Sequence, residues 1–233
     1  MYKVQERILA NEKIRDKHRD DVLVGILLDK IAFENVDLII GDGDKLPDIY
    51  AANKVFGVEI VQIELTCDFV YAKIIKEAKK HERISDARKA IKKQFPQSDE
   101  KIIEICRERF IDSKRFFIQH KPMASIYQKN IGVKLDKLNK GYYENITGDI
   151  FLAISNHRRR KTDSDIEAIQ KIYSEESSSY ERQFKAVFVI TARAVYKVDA
   201  VRIIWKREFT NDQFNECIVE MKKALKFDDE LYS

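Results

Sequence analysis

Short apolar, β-branched runs alternate along this chain with longer segments in which apolar residues recur every three or four positions. The first pattern is typical of strands and the second of amphipathic helices. Strands are predicted at residues 36–40, from about 47, at 57–65, 150–154 and 187–190, the last pairing with a strand near 194–198 or 201–205. Helices are predicted over residues 1–29 with a break near 15–21, then over 68–93, 100–110, 136–145, 164–175 and from 210 or 211 to 225.

This order of elements predicts an α/β or α+β fold in which helices flank a mixed central sheet. A leading helix is followed by a three-strand meander, and helices and strands then alternate. At 233 residues the chain is long enough for one domain with a full core. We therefore expect a single domain over residues 1–233, with a helical insertion at about 95–133. The sequence does not decide the secondary structure of all of this insertion, because Phe116-Phe117-Ile118 is also compatible with a short strand.

Composition narrows the class of protein. Hydrophobic residues make up 44% of the chain and charged residues 35%, which is typical of a soluble globular domain. No apolar run reaches the length of a membrane span, and charge begins at Lys3, so we expect a cytoplasmic protein that does not contact membranes. The three cysteines are far apart, which fits neither a zinc site nor a disulfide framework.

The distribution of charge is more informative than the net charge of +4. Four adjacent cations, Arg158, Arg159, Arg160 and Lys161, follow the apolar strand predicted at 150–154. Arginine donates paired hydrogen bonds to phosphate oxygens, so this basic segment is a candidate for contacting a nucleic-acid backbone. A charged turn that keeps the protein soluble explains the same residues equally well.

Two acidic residues occupy strand positions where burying a carboxylate would cost free energy. Asp48 follows Pro47 at the start of one predicted strand, and Glu59 lies inside the apolar run of the next. A carboxylate is rarely buried among Val and Ile unless a partner offsets its lost hydration. A divalent cation held by both acids is one such partner. The alternative is that Glu59 lies on the exposed face of an edge strand.

Pro47-Asp48, followed by Glu59 in a helix–three strands–helix–strand order, resembles the PD-(D/E)xK nuclease superfamily. The resemblance spans roughly residues 1–205 and implies a restriction-endonuclease-like fold. It also implies a nuclease that uses Mg²⁺ or Mn²⁺, held by Asp48 and Glu59, to hydrolyse phosphodiester bonds of DNA, in a restriction or other defence setting. Such enzymes commonly dimerise, so a homodimer is compatible with it. The sequence does not separate DNA from RNA.

The chain departs from the family pattern at the catalytic lysine. Val61 stands at that position, and Gln62 would join the site only if a β-bulge shifted the strand. In some relatives a neighbouring helix supplies the lysine, and Lys137 and Lys140 are the candidates here, with Lys140 placed in the catalytic set beside Asp48, Glu59 and Gln62. The alternative function is a catalytically inactive nuclease-fold protein that serves as a nucleic-acid-binding or protein-interaction module.

Overall fold

In the described part of the chain, eight strands form one mixed sheet, and they lie side by side in chain order. The computed structural model describes residues 2–10, 12–33, 36–41, 45–62, 123–156 and 161–227, and isolated residues between 80 and 93. The strands are β1 (Tyr2–Val4), β2 (Leu38–Ile40), β3 (Ile49–Ala51), β4 (Phe56–Gln62), β5 (Asp149–Ser155), β6 (Val187–Ile190), β7 (Ala194–Val198) and β8 (Ile203–Glu208).

Strand direction changes several times across the sheet. β1 and β2 are parallel, and so are β4, β5 and β6. The other neighbouring pairs are antiparallel. Parallel neighbours need long crossover connections, and the helices between β4, β5 and β6 belong to these connections.

Helices cover both faces of the sheet. In the described part of the chain they are α1 (Glu6–Leu9), α2 (Glu12–Lys17), α3 (Arg19–Ile31), α4 (Met123–Asn139), α5 (Asp163–Ser177) and α6 (Asn211–Ala224). Residues of α3 and α6 form one apolar core with one face of the sheet. Residues of α4 and α5 form a second core with the opposite face. Strands buried on both faces explain the nearly continuous apolar runs in β5 and β6.

The predicted α/β architecture with a mixed central sheet is confirmed at this level of detail. The meander β2–β3–β4 and the strands β5 and β6 occur where the apolar runs predicted them. β7 pairs with both β6 and β8, so both strands offered as alternatives exist. The C-terminal helix begins after Thr210, whose side chain and that of Gln213 form a reciprocal capping box.

Two local predictions were wrong. The chain begins with strand β1, because Tyr2–Val4 pairs with β2, a long-range contact that outweighs the helical pattern. The helix predicted at 136–145 is α4, which begins at Met123 and ends at Asn139, followed by turns. α5 begins at Asp163, one residue before the predicted start at 164, and its N-cap is Thr162, whose side chain accepts a hydrogen bond from the Asp165 N–H.

The chain divides into two units, residues 1–63 with 123–233, and residues 64–122. The predicted helix at 100–110, the suggested strand at 116–118 and nearly all of the helix at 68–93 lie outside the described residues; residues 85, 86, 89, 90 and 93 are helical. Among the helices that are described, none has the length and apolar character needed to cross a membrane.

Candidate functional site

The register of β3 and β4 places Asp48 beside Glu59. Ile49 is paired with Val58 in this antiparallel ladder, Asp48 precedes Ile49, and Glu59 follows Val58. β3 begins at this point, so the backbone N–H of Ile60 in β4 has no strand residue opposite it. The Asp48 carboxylate takes that place, and its Oδ2 accepts a hydrogen bond of 2.7 Å from Ile60.

Glu59 extends from β4 toward α4 and is buried, with 1% of its surface exposed. The Lys134 ammonium lies 2.5 Å from Glu59 Oε1, and that of Lys137 lies 3.4 Å from the same oxygen. The Lys134 Nζ is also 4.0 Å from Asp48 Oδ2. One cationic group therefore contacts both carboxylates, which shows that the two acids face a shared position.

The sequence of α4 explains why its lysines reach this position. Its buried residues recur at helical spacing and form a stripe that packs on the sheet: Tyr127, Ile131, Leu135 and Leu138. Lys134 lies within that stripe and Lys137 lies one turn later at its border. Long lysine stems can follow an apolar surface while the ammonium meets a buried carboxylate.

The burial of the two acids changes their protonation chemistry. Burial and the nearby charge of Glu59 raise the pKa of Asp48 to about 7, although Lys134 and the Ile60 N–H act in the opposite direction. Tyr143, in the turn after α4, is also part of this environment. Burial and the Glu59 carboxylate raise the pKa of the Tyr143 hydroxyl, which keeps it protonated.

A second group of polar side chains lies on the α3 side of the sheet. Gln62 donates to Asp21 Oδ1 at 3.0 Å, and His18 Nδ1 lies 2.9 Å from Asp21 Oδ2. Both His18 and Asp21 are largely buried. The charge of Asp21 contributes to the raised pKa of Asp48, so Asp48 senses acids on both faces of the sheet.

The structure distributes the four predicted catalytic residues over three places. Asp48 and Glu59 come together. Gln62 points to the opposite face from Glu59, as strand alternation dictates, because the described pairings of β4 contain no bulge. Lys140 lies beyond the end of α4 and is exposed, whereas Lys134 and Lys137 contact Glu59.

Sequence reasoning missed Lys134 because the helix was predicted to begin at residue 136. The signal that could have found it is a lysine inside the apolar spacing of residues 127–138. A cation in the stripe that a helix turns toward a sheet needs a buried acid as its partner. Glu59 was already identified as such an acid.

Three residues of the basic segment, Arg158, Arg159 and Arg160, lie outside the described residues. Its last member, Lys161, places its ammonium 6.0 Å from the centre of the Tyr127 ring on α4. The Tyr127 hydroxyl in turn accepts a 2.7 Å hydrogen bond from Asn156, at the end of β5. Asn156 and Lys161, the described residues that flank these arginines, therefore both lie beside Tyr127 in the N-terminal half of α4.

The donor set around Glu59 suits a hard cation. Carboxylate oxygens are the protein ligands that Mg²⁺ prefers, and Mg²⁺ sites often use only one or two of them, with water and substrate phosphate completing the shell. The Lys134 ammonium stands where a cation contacts both acids. Over the described part of the chain, no three His, Cys, Asp or Glu side chains cluster closely enough to hold a metal by themselves.

Comparisons of this chain with protein-family models, with curated proteins and with solved structures each gave no match.

Proposed function

We propose that this protein is a metal-dependent nuclease of the PD-(D/E)xK type that hydrolyses phosphodiester bonds of DNA, in a restriction or other defence setting. The observation that carries the proposal is the group Asp48, Glu59 and Lys134, in which one ammonium lies 2.5 Å and 4.0 Å from the two carboxylates. Two acids and a lysine are the residue types that this family uses for catalysis.

The order of elements around these residues supports a restriction-endonuclease-like fold. α3 is followed by the meander β2–β3–β4, then by α4, then by β5 parallel to β4. This is the helix–three strands–helix–strand order of the family. Asp48 lies at the start of the second strand of the meander and Glu59 in the third, where the family carries its acids. The lysine comes from α4 instead of β4.

Each side chain then has a chemical task. Asp48 and Glu59 would hold Mg²⁺ or Mn²⁺ through their oxygens. When bound, the ion supplies Lewis acidity, which activates water and stabilises charge on the phosphate. Lys134, released from the carboxylates by the incoming cation, would orient the attacking water or offset the negative charge that builds up on the phosphate oxygens. Lys137, on the border of the apolar stripe, would contact the adjacent phosphate.

Cleavage of plasmid and oligonucleotide DNA tests this proposal. We expect cleavage with Mg²⁺ or Mn²⁺, no cleavage with EDTA, and a loss of at least about a hundredfold in rate for Asp48→Asn and for Glu59→Gln. Both substitutions keep the shape of the side chain and remove the charge that a metal requires. Circular dichroism and urea unfolding establish that the variants are folded.

Exposed acids elsewhere provide matched controls. Asp212→Asn in the first turn of α6 and Glu175→Gln in α5 change the charge by the same amount and should cleave at the wild-type rate. If Asp48→Asn and Glu59→Gln also cleave at the wild-type rate, the site is assigned to the wrong residues. If the wild type cleaves neither DNA nor RNA with either metal, the enzymatic proposal is wrong.

The ion pair itself favours one alternative function. Lys134 already neutralises Glu59 without a metal, and Val61 stands where the family has its strand lysine. A nuclease-fold protein that binds nucleic acid or another protein without cleaving would keep such a pair for stability. DNA binding of equal strength with EDTA and with Mn²⁺, without cleavage, would identify this second function.

A further inference from the structure

The Tyr143 hydroxyl is a buried polar group that the proposed reaction does not yet use. Tyr143 follows α4, is 2% exposed, and its ring belongs to the core on the α4 face of the sheet. Its hydroxyl oxygen is buried and forms no hydrogen bond of normal geometry within the described part of the chain. A buried hydroxyl without a partner is costly, so proteins rarely retain one without a reason.

The surroundings of this hydroxyl are the acids of the candidate site. Glu59 acts on it both through its charge and as a nearby hydrogen-bond acceptor, Asp48 acts on it through its charge, and both acids disfavour its ionisation. It is therefore a hydrogen-bond donor that faces carboxylates. Both lysines of α4 contact the same oxygen of Glu59, Oε1. Neither of these two lysine contacts involves the other oxygen, Oε2.

The position of Lys134 shows when a donor to Glu59 becomes necessary. A divalent cation that binds Glu59 and Asp48 must take the place of an ammonium only 2.5 Å from Glu59 Oε1. With such an ion bound, Lys134 would lie farther from Glu59, and Glu59 would lack its shortest contact when its orientation matters. Carboxylates that bind metal ions are normally held by a further hydrogen bond, and losing that bond weakens metal binding tenfold to a hundredfold.

We propose that Tyr143 is a positioning residue for Glu59, whose hydroxyl donates a hydrogen bond to Glu59 Oε2 when a divalent cation replaces the Lys134 ammonium between Asp48 and Glu59. This inference rests on the proposed metal-dependent function and extends it. It assigns to a tyrosine beyond the end of α4 the task of fixing the metal-binding geometry. It also explains why a buried hydroxyl stays unpaired while Lys134 occupies the site.

The test is the affinity of Tyr143→Phe for Mn²⁺, measured by calorimetry and electron paramagnetic resonance without DNA. Phenylalanine keeps the ring in the core and removes only the hydroxyl. We expect Mn²⁺ to bind about 10- to 100-fold more weakly than to the wild type. In EDTA the urea midpoint should be equal to or higher than that of the wild type, because the lost hydroxyl had no partner there.

Tyr173→Phe is the matched control. Tyr173 is equally buried, but its hydroxyl donates a 2.7 Å hydrogen bond to the Phe184 carbonyl. The control should therefore unfold at a lower urea concentration and bind Mn²⁺ with wild-type affinity. Two results overturn the inference: unchanged Mn²⁺ affinity in Tyr143→Phe, or a loss of stability in EDTA like that of Tyr173→Phe, which would show that the hydroxyl is structural.

Asp48→Asn and Glu59→Gln separate the inference from the function beneath it. If both weaken Mn²⁺ binding while Tyr143→Phe does not, only the role of Tyr143 is wrong. If the wild type does not bind Mn²⁺, or if neither acid affects binding, the metal-dependent function fails and the role of Tyr143 fails with it.

Discussion

At the scale of single residues, Asp48 occupies a position that no other acid of the site shares. Its carboxylate lies at the level of the sheet, bonded to the Ile60 N–H, and so meets charges from both faces. Glu59 acts on it from the α4 side and Asp21 from the α3 side. Both acids and its own burial favour the protonated form, which is why its pKa reaches about 7.

Metal-free stability should therefore decrease with rising pH. Because the folded-state pKa of Asp48, about 7, is above the ordinary value of 3.8, folding favours the protonated carboxyl. This stabilisation is complete below about pH 4 and is lost as the pH rises through about 7, by at most about 4 kcal/mol. Urea unfolding in EDTA at a series of pH values measures it.

Asp48→Asn is the comparison for this pH dependence, because asparagine does not titrate. The variant should lack the part of the slope between pH 4 and 7 that the wild type shows. An identical slope in the two proteins would assign the titration to another group. Added Mn²⁺ should bind the wild type more tightly as the pH rises through 7, since metal binding requires the ionised carboxylate.

The residues of the site differ in how far the sequence could predict them. Glu59 was recognisable because an acid among β-branched residues contradicts its local pattern, and Asp48 because it follows Pro47 at a predicted strand start, as in the motif of the resembled family. Gln62 was placed in the site on the condition of a bulge, and β4 has none. Tyr143 carried no local signal, since a tyrosine near the end of a helix is ordinary packing.

At the scale of elements, α4 is the part of the molecule that completes the site. Its apolar stripe packs against the sheet and thereby presents Lys134 and Lys137 to a carboxylate in β4. The same helix therefore packs against the core and brings two ammonium groups to a buried acid. Removing one partner of a buried ion pair leaves an uncompensated charge, which usually costs more than the pair contributes.

A double-mutant cycle on Lys134 and Glu59 measures this dependence. Lys134→Met should destabilise the fold by about 3 kcal/mol, because Glu59 then loses its nearest cation and keeps the more distant Lys137. Glu59→Gln in the same background should recover at least about 1 kcal/mol. Urea unfolding in EDTA provides the four free energies.

Lys171→Met in α5 is the matched control for this cycle. Lys171 lies 3.9 Å from Glu175, and both side chains are mostly exposed, so its loss should cost less than about 0.5 kcal/mol. Strict additivity of Lys134→Met and Glu59→Gln would show that the two side chains do not interact in solution.

Some helices and strands were predicted more accurately than others, and the difference has a physical reason. β4, β5 and β6 were found because strands buried on both faces produce unmistakable apolar runs. β1 was missed because three residues gain strand structure only by pairing with β2. The start of α4 was missed because the helix lies against the sheet, so its apolar stripe and its buried lysine follow tertiary contacts rather than local preference.

At the scale of the whole molecule, the parallel strands β4 and β5 end side by side, since Gln62 pairs with Ser155. Their carboxyl ends therefore lie together at the same end of the sheet. Asp48 and Glu59 lie near that end, and the basic segment follows directly after β5. Ligands of open α/β sheets bind outside the carboxyl ends of the strands.

The class of fold followed from the alternation of elements, whereas the order of eight strands did not, because strand pairing joins distant parts of the chain.

The basic segment should therefore hold DNA beside the acids. Arg159→Ala is expected to weaken binding of a short DNA duplex similarly for all sequences, because phosphate contacts carry no sequence information. The slope of log affinity against log salt should decrease by about 1, the value for one lost phosphate contact. Fluorescence anisotropy in EDTA measures both quantities without cleavage. Arg202→Ala, an exposed arginine after β7 at the opposite end of the sheet, is the control and should leave the slope unchanged. Equal slopes for wild type and Arg159→Ala would remove the segment from the binding surface and leave it the task of keeping the protein soluble.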